Sequence, residues 1–422
     1  MKTRAVRLYG KDDLRLEEFE LPRPGEDEIF ARVVSDSLCM SSYKAVHQAD
    51  IHKRVPRDIA QKPVIIGHEF SGEILEVGAK WRHKFSPGDK FSIQPAMCYP
   101  YGPAGVLSAP GYSYPYVGGD STYVIIPNEV MEMDCLLPYR GPGFFPASLA
   151  EPLSCVIGAM HACYHVPPGT YKHSMEIKDG GKLALLAGVG PMGLACINYV
   201  IHREDRKPSL FVVTDINQER LDRAAELYSV DYAASRGIEL HYVNTAGMEE
   251  PAAQLRILSG GTGYDEVVVM APVPSVVEQA DDILAFDGCL NFFSGPSKSP
   301  FKAPFNFYNV HYASTHVVGT SGGNTQDMKE ALEMMSRGLD PAGIVTHVGG
   351  LNAVIDTTMN LPAIPGGKKL IYTHIEMPLT AIADFGKMGT PVYDALDAIC
   401  REHNGLWSVE AEEYLLSHAD QL

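Results

Sequence analysis

Three short stretches in the first half of the chain carry side chains that bind metals: Cys39, the adjacent pair His68 and Glu69, and Glu151. A catalytic zinc takes a few cysteine, histidine or carboxylate ligands and keeps one position for water or substrate. Cys39, His68 and either Glu69 or Glu151 supply such a set. Each is weak alone, since a single cysteine usually serves as a small buried hydrophobe. A different chemistry follows further along. The apolar run from Lys182 closes in Gly188, Gly190 and Gly193, and Leu194 to Ile197 then open a helical pattern. Gly188 permits a tight turn, Gly190 lets the backbone approach a pyrophosphate, and Gly193 lets the helix pack on the strand. The same spacing also occurs in a ligand-free strand-to-helix turn. A second β-rich run, Ser209 to Thr214, ends in Asp215, about 20 residues past the glycines, where a ribose-binding acid belongs.

The elements that must carry these groups read as strand, turn, helix, strand. They predict a dinucleotide-binding unit with Gly188, Gly190, Pro191, Met192 and Gly193 at the phosphates and Asp215 at the adenosine ribose. The Asp215 carboxylate repels a 2′-phosphate, so NAD(H) is expected ahead of NADP(H). Arg220 is either an adenosine contact or a solvated helix residue. The βαβ rhythm continues through strands at Tyr264–Met270, Gly288–Phe293 and Ser314–Gly319. Their carboxyl ends place Ala271, Ser294 and Gly295 beside the nicotinamide, or make them ordinary loop starts. Residues 1–150 are β-rich and broken by turns, with strands expected at Ile29–Val34 and Phe70–Val77, and read as a barrel-like domain.

Composition narrows the partners. The chain has 422 residues, too long for one simple core, so two domains are expected. A net charge of −17 argues against nucleic-acid and anionic-membrane partners. No apolar run of about 18 residues suggests a membrane span. Eight scattered cysteines without a Cys-x-x-Cys pair fit a reducing cytoplasm.

The order Cys39, Gly67-His68-Glu69, Pro87-Gly88-Asp89, Ala150-Glu151-Pro152 and then the glycine turn resembles the zinc-containing medium-chain alcohol and polyol dehydrogenases, over roughly residues 1–375. That resemblance implies an α/β protein with a GroES-like β-barrel catalytic domain and a Rossmann domain with a doubly wound parallel sheet. The expected division is 1–155, 156–323 and 324–422, the last completing the catalytic domain and adding a helical extension. It implies a cytoplasmic homo-oligomer, dimer or tetramer, acting on a small molecule. Cys39, His68 and Glu69 match the family's catalytic-zinc positions. Glu151 matches the glutamate that enters or leaves the coordination sphere in its sorbitol and threonine dehydrogenase branches. Zinc would polarise the substrate oxygen, Ser41 would relay the proton, and Lys44 or His47 would carry it onward; these three and Glu69 are the catalytic candidates.

Two departures stand out. The lobe from Ala96 to Gly119 holds only Cys98, where relatives often have four cysteines, so one catalytic zinc and no structural zinc are expected. Its tyrosines, Tyr99, Tyr101, Tyr112, Tyr114 and Tyr116, either pack the lobe or line a substrate rim. Ser42 replaces an aspartate that commonly orients the zinc ligands. Beyond it, Lys44, His47, His52, Lys53 and Arg54 form either a solvated basic loop or a site for an anionic substrate. The stretch Cys39 to Lys44, with the cysteine-poor lobe, resembles the L-sorbose-1-phosphate reductase group, implying interconversion of L-sorbose 1-phosphate and D-glucitol 6-phosphate. An unphosphorylated polyol or threonine-type dehydrogenase and a metal-free NAD-binding regulatory protein are the alternatives.

Overall fold

A computed structural model describes residues 1–297 and 299–422, and the chain divides into two compact units. The first is assembled from Met1–Glu151, Asn324–Ser336 and Asp340–Leu422. The second comprises Pro152–Gly323 and Arg337–Leu339.

The first unit is built on an eight-stranded sheet whose central strand is Ile29–Leu38. Its apolar face carries Ile29, Ala31 and Val33 on alternate positions, and these pack on Phe70, Ile74, Phe91, Val124 and Ile126. On one side Ile29–Leu38 pairs with Phe70–Val77. On the other it pairs with Lys368–Tyr372, from far along the chain. That register sets Lys369 opposite Leu38, one residue before Cys39. The strand ends there because Cys39 caps the helix Met40–Gln48, its sulfur accepting from the Ser41 amide at 3.5 Å.

The residues past 375 fold back onto this unit as the helices Pro391–Glu402 and Val409–His418. Glu412 on the last helix is fully buried. Its carboxylate accepts from the Phe144 amide at 2.5 Å, the Phe145 amide at 2.8 Å and the Tyr372 hydroxyl at 2.9 Å. Trp407 donates to the same Tyr372 oxygen at 2.7 Å. The segment held this way leads into the helix Ala150–Ala162, which carries Glu151 in its first turn.

The second unit holds a six-stranded sheet, parallel throughout. From one edge it runs Glu239–Asn244, Leu210–Asp215, Lys182–Leu186, Tyr264–Val269, Leu284–Phe292 and His316–Val318. In chain order that is third, second, first, fourth, fifth, sixth, the doubly wound arrangement with its reversal beside Lys182–Leu186. Tyr264–Val269 is buried along its whole length, and the two carboxylates inside it are partnered, Glu266 with His165 and Asp265 with Lys178. Among the described residues, no helix is long and apolar enough to cross a membrane.

Candidate active site

Cys39, His68 and Glu69 meet in the first unit with their ligand atoms within 4.8 Å of one another. Cys39 arrives at the end of the central strand. His68 and Glu69 arrive at the start of the neighbouring one, after Gly67 turns the chain with φ +91°. Ser42 Oγ lies 3.2 Å from His68 Nδ1, so the serine hydroxyl fixes the ring in place of a carboxylate. This leaves Nε2 on the side of Glu69, 4.0 Å from its Oε1.

Sulfur, imidazole and carboxylate are the donor types zinc takes, and the orientation of His68 is settled by a neighbour that uses its other nitrogen. The group therefore fits a zinc ion. Burial pushes the Cys39 thiol up, with the Lys368 charge opposing it. Burial pushes His68 down, which favours the neutral, ligating imidazole. Glu151 is buried beside them, and burial followed by the Glu69 charge raises its carboxyl to about 7.

Lys368 was not visible as a site residue in the sequence. Its ammonium lies 2.5 and 2.6 Å from the two oxygens of Glu69, with both side chains buried. Ser37 Oγ also donates to Glu69. Burial alone would raise the Glu69 carboxyl, yet Lys368, His68 and these hydrogen bonds outweigh it and hold it below its ordinary value. Glu69 is thus a carboxylate whose charge is already matched.

Tyr112 was named in the sequence only as one of five lobe tyrosines, for packing or a substrate rim. Of the lobe tyrosines it alone reaches this corner among the described contacts: its hydroxyl lies 3.2 Å from His68 Nε2 and the two rings are 4.6 Å apart. Gly111 makes that possible. A Cβ there would fall 1.9 Å from the Gly67 carbonyl oxygen, so only glycine lets the lobe back onto the His68 turn. Tyr114 is buried in the barrel core with Tyr99 packed against that core, whereas Tyr101 and Tyr116 are exposed.

The remaining candidates separate. Ser41 is exposed at the helix start, its Oγ 3.5 Å from Cys39 Sγ. Lys44 is half-buried on the same helix. His47 turns to Asp12, Nδ1 to Oδ1 2.5 Å. Cys98 is exposed.

In the second unit the glycine turn sits between the strand Lys182–Leu186 and the helix Pro191–His202, with Pro191 and Met192 opening that helix. A Cβ on Gly193 would lie 1.9 Å from the Gly188 carbonyl oxygen, whereas one on Gly190 would meet nothing within 4 Å. The space over Gly190 and the free amides of a 12-residue helix make a cradle that fits a pyrophosphate. Asp215 closes the adjoining strand, its Oδ1 accepting from the amides of Ile216 and Asn217 at 2.8 and 3.1 Å. Arg220 is exposed, its amide bonded to Asn217. Ala271, Ser294 and Gly295 follow the next two strands at the same carboxyl edge, with the buried Ser294 hydroxyl unpartnered.

Comparison with known proteins finds two family domains in the chain. Residues 25–134 match the alcohol dehydrogenase GroES-like domain and residues 210–337 the zinc-binding dehydrogenase domain. The chain is 50% identical over 422 residues to mannitol-1-phosphate 5-dehydrogenase of Aliivibrio fischeri, covering 99% of this chain and 98% of the relative. It is 50% identical over 421 residues to L-sorbose 1-phosphate reductase of Klebsiella pneumoniae, covering 100% and 98%. The crystal structure of 2R,3R-butanediol dehydrogenase from Bacillus subtilis superposes with a TM-score of 0.68 at 21% identity, over 88% of this chain and 99% of that one.

Proposed function

The chain belongs to the zinc-binding alcohol and polyol dehydrogenases with a GroES-like domain, and from that premise we propose that it interconverts a ketose phosphate and a polyol phosphate with NAD(H). The observation that carries the substrate class is the full-length identity of 50% to two relatives whose names both specify a phosphorylated six-carbon sugar or polyol.

In this reading Cys39, His68 and Glu69 would hold zinc, with Glu151 beside them, and the chemistry a bound ion would supply is Lewis acidity at the substrate oxygen. The chain's own groups do the rest. Ser42 keeps His68 Nε2 aimed at the metal position. Lys368 keeps Glu69 ionised without leaving a buried charge unmatched. Ser41 Oγ, exposed next to Cys39, takes the hydroxyl proton while giving its own to water at the exposed start of the helix. Tyr112 closes one side of the corner and keeps water from it.

The second unit would hold the cofactor at the Gly188–Gly193 turn. Asp215 accepts from the ribose hydroxyls and disfavours a 2′-phosphate, which supports NAD(H) over NADP(H). The chemistry a bound nicotinamide would supply is the gain or loss of hydride.

The test is a panel of free ketoses and ketose phosphates reduced with NADH and with NADPH. The expected result is higher kcat/KM for a phosphorylated ketose and for NADH. Equal efficiency on free and phosphorylated sugars would refute the substrate class. Higher efficiency with NADPH would refute the role of Asp215.

A further inference from the structure

The cationic residues that follow Cys39 do not act as one cluster. His47 is committed to Asp12. His52 is half-buried, and burial together with the neighbouring Arg54 charge holds it at about 4, so it brings no charge at neutral pH. Lys53 and Arg57 line a cavity of about 880 Å³ that also holds Asp50 and Asp58. Arg54 differs from all of these. Its guanidinium carbon lies 5.8 Å from the ring centre of Tyr112, within cation–π range. One of its five N–H groups donates to the Leu107 carbonyl at 3.3 Å. Its own carbonyl is pinned by Ser113 Oγ at 2.6 Å. His52 stacks on the same tyrosine ring at 5.8 Å and 15°. The hydroxyl end of that ring is the one that reaches His68 Nε2.

Tyr112 therefore serves as a spacer. One phenol ring separates a braced guanidinium from the nitrogen that faces the metal position. We propose that Arg54, braced on Tyr112, anchors the substrate's phosphate, and that this short spacing selects a ketose whose phosphate is on the carbon next to the carbonyl. The inference rests on the sugar-phosphate reading above and adds the position of the phosphate. A planar guanidinium fork grips two phosphate oxygens at once. A local cation is also needed to draw a phosphate to a chain of net charge −17. In a six-carbon 2-ketose the 6-phosphate sits three carbons farther from the carbonyl than the 1-phosphate, so a single anchor at a fixed distance discriminates between them. The two relatives' names differ on this point. Sorbose 1-phosphate carries its phosphate beside the ketone, whereas a mannitol-1-phosphate 5-dehydrogenase acts far from the phosphate.

The experiment compares kcat/KM for L-sorbose, L-sorbose 1-phosphate and D-fructose 6-phosphate in the wild type, Arg54→Lys and Arg54→Ala. Calorimetric binding of L-sorbose 1-phosphate and zinc content are measured in parallel. The wild type should favour the 1-phosphate over the 6-phosphate by about 30-fold or more, the worth of a charge-assisted pair. Arg54→Ala should narrow that ratio to within about threefold and weaken 1-phosphate binding about 30-fold, with zinc retained. Arg54→Lys keeps the charge without the fork and should lose about tenfold of the preference. If Arg54→Ala fails to fold, the lysine variant decides by the same ratio. Equal use of the two phosphates, preference for the 6-phosphate, or an undiminished ratio in both variants overturns the proposal while leaving the sugar-phosphate reading standing. Free L-sorbose matching both phosphates overturns the two together.

Discussion

The corner around Cys39 and His68 is made from side chains drawn from distant parts of the chain, whereas the turn at Gly188–Gly193 is made from the backbone of one contiguous run. In the corner, Glu69 finds its counter-charge 299 residues away at Lys368, and both are buried. In the turn, the decisive contact is internal: Gly193 sits on the carbonyl of Gly188, and a Cβ on Gly190 would meet nothing within 4 Å. Chemistry that must act on charge in a dry place needs matched ionic side chains from several strands. Recognition of a pyrophosphate needs only aligned N–H groups and the absence of side chains in their way.

This contrast can be tested from both sides. The largest effect is expected from Cys39→Ser, which removes the sulfur ligand. Activity should fall by about a thousandfold or more, as losing several kcal/mol of charge stabilisation requires. Zinc content should fall with it, while NADH affinity, measured by fluorescence titration, should stay within about twofold, because the turn does not depend on the corner.

Next is Lys368→Met. Removing one partner of a buried pair leaves the other charge uncompensated, so urea unfolding should show a loss of about 3–5 kcal/mol. The double variant Glu69→Leu with Lys368→Met should recover most of that stability without recovering zinc. No recovery would mean that the pair supports the fold by some route other than charge balance.

A smaller effect belongs to the turn. Gly193→Ala places a Cβ 1.9 Å from a backbone oxygen that cannot move aside cheaply. Overpacking of this kind costs about 1–3 kcal/mol, and NADH binding should weaken while zinc content is unchanged. Zinc loss in this variant would break the independence of the two regions.

These differences also decide what could be read from the sequence. The glycine turn, its strands and Asp215 were legible because all of their constraints lie within a few tens of residues. The strand Phe70–Val77 was legible from its β-rich composition and occupies those residues in the fold. Cys39, His68, Glu69 and Glu151 were legible only as residue types in an order. Lys368 was not, because a lysine in a strand reads as a solvated charge until the partner strand shows its register against Cys39. Tyr112 was one of five equivalent tyrosines. Gly111 carried the only local signal that its neighbour is pressed onto another backbone. Ser42, read as a replacement for the aspartate that commonly orients the zinc ligands, lies within hydrogen-bond distance of His68 itself.

The smallest predicted effect concerns the tail. Burial raises the Glu412 carboxyl to about 7, against 4.5 for the free side chain, despite its backbone and tyrosine donors. The unfolded chain's glutamate therefore loses its proton first as pH rises. The stability this residue contributes is complete below about pH 4.5 and is lost as the pH climbs through 7. Urea midpoints at pH 5 and pH 8 should converge in Glu412→Gln relative to the wild type. An unchanged pH slope in that variant would assign it to other groups.

The clamp between Glu412 and the amides of Phe144 and Phe145 also sets an order of events during synthesis. The segment leading to Glu151 and the loop bearing Glu69 leave the ribosome early, and their partners are 268 and 299 residues behind them. The whole second unit is translated in that interval and has every strand of its sheet in hand before Lys368 exists. In the proposed reading, the nascent chain should thus be able to recognise a dinucleotide before it is able to retain a metal. Released chains truncated between residues 340 and 365 should be retained on an immobilised nucleotide resin yet carry no zinc, and the full-length chain should do both.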